Sequence, residues 1–337
     1  MANKWLIVSV AGLGWEYLEK RKINRLAGLE LSPADSIFPA VTCTAQASFR
    51  TATYPKEHGM IANGLFDRRL GKAMFWEQSA NLVEGPRIWD AARENGAKIG
   101  IMFWQQSMGE NADCIITPAP IHKHNGGMVM DNYIVPSDAG ARIRKKCGKF
   151  PLGRYWGPLA SPKVGNAVIK YFETALEEFP LETVFLYLPT LDYDFQRYGP
   201  DDERSVRSLD ILTLQLERLV SLAEKKGYNI LFSGDYAINE VTSEPVYPNI
   251  TLREASLFNT RSIKSMAYPD LFSSRAFALA DHEISHVYIR NSSDIQLVWD
   301  LFTSTGDYET VEVKTANTTR GHDSAGEILL TARKGSW

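Results

Sequence analysis

Apolar residues along this chain fall into two patterns, short continuous blocks and stripes spaced three to four residues apart, and the two alternate. Trp5–Val10 is an apolar block. It runs into the turn Ala11-Gly12-Leu13-Gly14 and then a short helical stretch from Trp15 to Lys20, the opening of an α/β fold. Arg87–Asn95 reads as a helix stopped by Gly96, with a strand over Lys98–Phe103 behind it. Val168, Tyr171, Phe172, Ala175, Leu176 and Phe179 mark one helix face, Pro180 ends the run, and Val184–Leu188 follows as a buried strand. Leu209, Leu212, Leu216, Leu219 and Ala223 make a second stripe, with Lys225-Lys226 suited to its dipole, Gly227 as its cap and Asn229–Phe232 as the next strand. The alternation predicts a mostly parallel sheet covered by helices on both faces. In such sheets ligands sit beyond the carboxyl ends of strands, which directs attention to Pro189–Pro200 and Ser233–Glu240.

Between about residues 64 and 163 periodicity weakens and Trp, Met, Gly and Pro accumulate, so this span is expected to be a cap inserted into one catalytic domain that covers residues 1–337. Its basic run, Arg142 to Lys146, reads as a solvated helix end. Phe277–Leu279, His286–Ile289 and Ile328–Thr331 read as further strands, and the stop at Trp337 just after the last gives the expectation of a truncated chain.

Composition narrows the classes. Of 337 residues, 44% are hydrophobic and 23% charged, an ordinary globular balance, and 37 basic against 40 acidic residues give a net charge of −3. That is not the footprint of a nucleic-acid binder, so a small molecule is the expected partner rather than a nucleic-acid polymer. Cys43, Cys114 and Cys147 form no C-x-x-C pair or disulfide framework. There is no signal-peptide pattern and no apolar run of about 20 residues, so a cytoplasmic location away from membranes is expected.

Candidate chemistry starts at the first turn. Gly12-Leu-Gly14 invites a dinucleotide reading, but the third glycine of that fingerprint would fall on Tyr17, whose bulk opposes close helix packing. The segment FPAVTCTAQASFRTATYPKEHGMIAN, Phe38 to Asn63, is more specific. It resembles the nucleophile segment of the alkaline phosphatase superfamily, in its nucleotide pyrophosphatase/phosphodiesterase and phosphonoacetate hydrolase branches. The match places the nucleophile at Thr42 and a phosphoryl-oxygen donor at Asn63, with Thr51-Ala52 standing where the family usually has Thr-Gly. A threonine hydroxyl needs activation by a metal or base, and a helix N-terminus behind it offers N–H groups to a phosphate. Thr42 is equally suited to capping that helix. His58 reads as a structural residue of the loop.

Two later loops extend the resemblance. Asp192 matches the Asp of a Pro-Asp-x-x-Gly-His loop, Gln196 falls where the family has a metal-binding His, and Asp194 is a possible substitute ligand. Asp235 matches the Asp of Ser-Asp-His-Gly, and Tyr236 replaces the His. At the first strand Ala11 stands where the family has a metal-binding Asp, and the family's final His would lie beyond Trp337. The cluster Asp281-His282-Glu283-Ile-Ser-His286 supplies further candidate ligands, His282 and His286, whose alternative is a hydrogen-bonded core role. A less-studied branch with a Thr-Cys-Thr segment and a Leu-Asp-Tyr-x-x-Gln loop resembles this chain here, which makes Gln196 and Tyr236 features of that branch.

The resemblance implies an alkaline-phosphatase-like three-layer sandwich with a cap. It implies a divalent-metal hydrolase, with two Zn or alternatively Mn, acting on a phosphodiester, nucleotide pyrophosphate or phosphonate. Thr42 and Asn63 would be catalytic, and Asp192, Asp235, Asp194, His282 and His286 would be the metal ligands. The competing expectation, raised by Ala11, is an impaired relative that binds a phosphorylated ligand or a protein partner.

Overall fold

The computed structural model describes residues 4–315 and 321–337. These form two compact units: residues 1–52, 78–82 and 86–240 make the first, and residues 53–77, 83–85 and 241–337 the second.

The first unit is built on a six-stranded sheet in the order Asn132–Val135, Cys114–Pro118, Ile99–Met102, Thr183–Leu188, Lys4–Val10, Tyr228–Gly234. All pairings are parallel except that of the edge strand Asn132–Val135 with Cys114–Pro118. The helix stripes read from the sequence are the buried faces: Val168, Tyr171, Phe172 and Ala175 on Val164–Glu178, and Leu209, Leu212, Leu216, Leu219 and Ala223 on Glu203–Lys226. Asp202 caps the longer helix by accepting from the Arg204 N–H, and Gly227 ends it in the left-handed region at φ 73°. The helix read over Arg87–Asn95 spans only Asp90–Glu94, because the Asp90 carboxylate turns back to accept from the Arg87 N–H at 2.7 Å.

Helix Thr42–Thr51 carries the candidate nucleophile. Phe49 packs edge-on against Trp104 and Phe185. The fully buried Arg50 donates to the carbonyls of Gln105 (2.5 Å) and Gln106 (2.8 Å), and Gln46 accepts from the Gln105 N–H at 2.8 Å. These bonds satisfy an irregular segment that the sheet ladder leaves unpaired, and they anchor the helix to it.

The span 64–163 does not stand apart as an insertion. Three of its segments are strands of the six-stranded sheet, and residues 64–77 and 83–85 belong to the second unit. Weak periodicity here reflects short strands, of which Ile99–Met102 and Cys114–Pro118 are buried too completely to alternate.

The second unit has a four-stranded sheet in the order Ala276–Asp281, Ile284–Ile289, Ile328–Ala332, Tyr308–Val313, antiparallel throughout. The late strands read from the sequence are present, but in this sheet and not in the parallel one. The physical reason is the connection: only two residues, His282 and Glu283, join the first pair, and a two-residue turn returns the chain antiparallel. Val298 and Phe302 of helix Ile295–Thr305 are buried in the same apolar cluster as Phe277, Tyr288 and Ile328. Among the described residues no helix is long and apolar enough to cross a membrane.

One local cost is visible. Helix Thr42–Thr51 ends on Ala52 at φ 54°, ψ 33°, a left-handed position that favours glycine. Ala52→Gly is expected to raise stability by up to about 1 kcal/mol, and Ala52→Val to lower it by at least as much. Urea unfolding read at an unchanged m-value checks both directions.

Candidate active site

Three strand ends assemble the site in the first unit. Val10 lies beside Leu188 in one pairing and beside Gly234 in the other, so the segments that follow all three strands leave the sheet at one level. The Ala11 N–H donates to the Leu188 carbonyl at 2.9 Å, which extends the parallel ladder one residue further. Gly234 has no alternative there, since a Cβ on it would stand 2.0 Å from the Leu13 carbonyl oxygen. The residues immediately beyond are Ala11-Gly12, Pro189 to Asp192, and Asp235-Tyr236.

Asp192 opens helix Asp192–Tyr198, where the sequence alone suggested a loop. Helical spacing then brings Gln196, four residues on, over the same face, and its Nε2 donates to Asp192 Oδ1 at 2.7 Å. The Tyr236 hydroxyl donates to the same oxygen. Asp194 points elsewhere: its carboxylate accepts from the Ser208 hydroxyl at 2.6 Å and faces Arg197 at 3.8 Å. It therefore serves the packing of two helices, and the structure does not bring it to Asp192 as a substitute ligand.

Asp235 is only 6% exposed. Its Oδ1 accepts from the N–H groups of Gly12 (3.3 Å) and Tyr236 (3.0 Å), whereas its buried Oδ2 meets no donor. Burial pushes its carboxyl well above the usual carboxylate range, and the nearby negative charge of Asp192 pushes in the same direction. An orphaned buried carboxylate oxygen beside a second carboxylate is a place where a cation fits. Ala11, fully buried, offers no ligating atom. Among the described residues no group of three or more His, Cys, Asp or Glu side chains is gathered to hold a metal.

Thr42 is the first residue of its helix, and Val41, in extended conformation, occupies the cap position with no side-chain cap. The Thr42 hydroxyl is thus not spent on capping. It shares a hydrogen bond with the hydroxyl of Tyr187, a residue near the end of the strand Thr183–Leu188. Burial, and after it the charges of Asp235 and Asp192, hold the Tyr187 phenol well above its usual range, so it is neutral at physiological pH. Tyr187 thus bonds to Thr42 and feels the charge of both carboxylates. The sequence reading passed over it because its alternation marks it as one more buried strand residue; only its place five residues before Asp192, near the carboxyl end of the strand, was a signal.

Asn63, His282 and His286 belong to the second unit. Asn63 is clamped by Asp281: its backbone N–H and its Nδ2 donate to the two carboxylate oxygens, at 2.5 and 3.2 Å. The two histidines do not share a face. His282 occupies the hairpin turn at φ 56°, with Nε2 3.7 Å from Asp281 Oδ1, whereas His286 is buried within its strand with Nε2 3.3 Å from the Ile61 carbonyl. His58 is fully buried and its Nδ1 accepts from the Met60 N–H at 3.1 Å, a loop-holding role.

A family model for type I phosphodiesterase / nucleotide pyrophosphatase matches residues 5–337. An ectonucleotide pyrophosphatase/phosphodiesterase of Caenorhabditis elegans is 29% identical over 108 residues, which are 29% of this chain and 14% of that protein. The match thus spans about a seventh of that relative's length. Among solved structures, phosphonoacetate hydrolase from Sinorhizobium meliloti in complex with phosphonoacetate aligns with a TM-score of 0.67 at 15% identity, covering 99% of this chain and 81% of that one. Murine ectonucleotide pyrophosphatase/phosphodiesterase 5, in an inactive form in complex with AMP, aligns at 0.63 and 16%, covering 99% and 80%. The fold is the alkaline-phosphatase-like one, a mostly parallel central sheet with helices. By the match over residues 5–337, the chain belongs to the type I phosphodiesterase / nucleotide pyrophosphatase family.

Proposed function

We propose that this chain is a metal-dependent hydrolase of a phosphodiester, nucleotide pyrophosphate or phosphonate bond, with Thr42 as its nucleophile. The observation that carries the reading is the placement of Asp192 and Asp235 just past the ends of the two parallel strands that flank Lys4–Val10, with Thr42 hydrogen-bonded to Tyr187 of one of them. Small phosphorylated or phosphonate compounds are the substrate class, in keeping with the AMP and phosphonoacetate held by the two structural neighbours.

The chain's own groups divide the work. Thr42 opens helix Thr42–Thr51, and the N–H groups of a helix's first turn suit phosphoryl oxygens. Thr42 Oγ attacks phosphorus, an Oγ–P bond forms, and the leaving group departs with the electron pair of its own bond to phosphorus and takes up, through solvent, the proton that Thr42 gives up. Water then attacks phosphorus, its oxygen forms the new bond as the Oγ–P bond breaks, and one of its protons returns to Thr42 Oγ. Tyr187, held neutral, keeps the Thr42 hydroxyl oriented toward this position. A divalent cation, Zn²⁺ or Mn²⁺, would be held by Asp192 and Asp235, and when bound it supplies positive charge that lowers the pKa of a nearby hydroxyl and offsets phosphoryl charge.

A second reading, an impaired relative that binds a phosphorylated ligand or a protein partner, draws on the buried Ala11, which contributes no carboxylate. Hydrolysis of bis(p-nitrophenyl) phosphate with Mn²⁺ or Zn²⁺ decides between the two. Turnover that falls by about 10³-fold or more in Thr42→Ala supports the nucleophile. Absence of turnover in the unaltered chain, together with retained AMP binding by calorimetry, supports the impaired relative.

Tyr187→Phe isolates the orienting bond. Loss of one such hydrogen bond is worth about 1 kcal/mol, so kcat is expected to fall roughly fivefold with KM and melting temperature nearly unchanged. An unaltered kcat would show that Thr42 is oriented without it.

A further inference from the structure

We propose that the site of the first unit takes a single divalent cation, between Asp192 and Asp235, and that Gln196 and Tyr236 act there as positioning residues that fix the Asp192 carboxylate. The proposal rests on the reading of Asp192 and Asp235 as the cation-holding pair and goes on to set the number of cations.

Gln196 Nε2 and the Tyr236 hydroxyl both donate to Asp192 Oδ1, so in this arrangement each is engaged as a donor to the carboxylate. The two donors come from different elements, one from helix Asp192–Tyr198 and one from the segment after the strand Tyr228–Gly234, which fixes the carboxylate in rotation as well as in position. Asp235 is held in the same manner by two backbone N–H groups on Oδ1, and its buried Oδ2 is left without a donor. One carboxylate oxygen on each residue is thus tied by protein donors, and at Asp235 the other is open to a ligand.

Charge gives the same number. Two carboxylates supply two negative charges, which one divalent cation offsets. A second cation would add two positive charges with no further carboxylate to offset them, since the adjoining polar side chains, Tyr187, Tyr236 and Gln196, are two phenols and an amide. Ala11 is fully buried and adds no donor atom, and among the described residues no third His, Cys, Asp or Glu joins the pair.

The test uses the full chain, stripped with EDTA, dialysed and titrated with Mn²⁺ by calorimetry, with bound metal counted by plasma emission after gel filtration. One equivalent is expected. Asp235→Asn and Asp192→Asn should each weaken binding by more than the roughly 10–100-fold that loss of a supporting residue costs. In EDTA, Asp235→Asn should melt at or above the unaltered protein, because a buried carboxyl group whose Oδ2 meets no donor has been replaced by an amide. Added Mn²⁺ should raise the melting temperature of the unaltered protein and leave that of Asp235→Asn in place, which separates lost ligation from lost folding. The double variant Ala11→Asp with Tyr236→His should raise the count from one to two. Two equivalents in the unaltered chain, none at millimolar Mn²⁺, or one that Asp235→Asn does not weaken would each overturn the proposal. One equivalent bound through both aspartates without any phosphodiester turnover would uphold the single site and overturn the hydrolase reading.

Discussion

The parallel register that sets Val10 beside both Leu188 and Gly234 is the constraint on which the first unit's chemistry depends. It forces three chain segments to leave the sheet together, and a sheet interior cannot accept their polar side chains, so these collect just past the last ladder bonds. Gly12 and Gly234 are consequences of that crowding. The Gly12 backbone, at φ 72°, turns its N–H onto Asp235, and Gly234 leaves room for the Leu13 carbonyl. Shifting the register by one residue would separate Asp235 from Gly12 and would turn Tyr187 from the Thr42 side of the sheet to the other.

From this crowding follows an electrostatic problem. Two carboxylates, one of them deeply buried, share a small volume, and the groups around them are phenols, an amide and backbone N–H donors. Neutral donors reduce the cost of burying an anion without cancelling its charge. The site is therefore arranged at some expense to the stability of the ligand-free protein, as binding sites commonly are. The same phenols, raised by burial and by the carboxylates, stay protonated and so remain donors.

Much of this architecture was legible in the sequence, and the unequal result has physical causes. Long amphipathic stripes such as Leu209 to Ala223 identified their helices because one face is buried and the other is wet. Short strands such as Ile99–Met102, buried throughout, carry no alternation, so the span around them read as an insertion. Asp192 and Asp235 were visible through their motifs, but the helix that begins at Asp192 was not, since Pro189 and Gly199 bracket it as they would a loop. Without that helix the i to i+4 relation of Gln196 to Asp192 is invisible, and Asp194 competes for the same role. Likewise, the four-residue spacing of His282 and His286 suggests a shared face, which the turn at His282 removes.

Gln196 and Tyr236 carry the argument furthest, because the sequence presents them only as absences, two positions where a histidine was expected. In the structure both are donors to one oxygen of Asp192, reached from two separate elements. A histidine at either position would offer a ring nitrogen to a cation, whereas here an amide and a phenol donate to the carboxylate. The departures from the family pattern at these two positions therefore describe a different way of holding the same carboxylate, and the chemistry of the site follows from how that carboxylate is held.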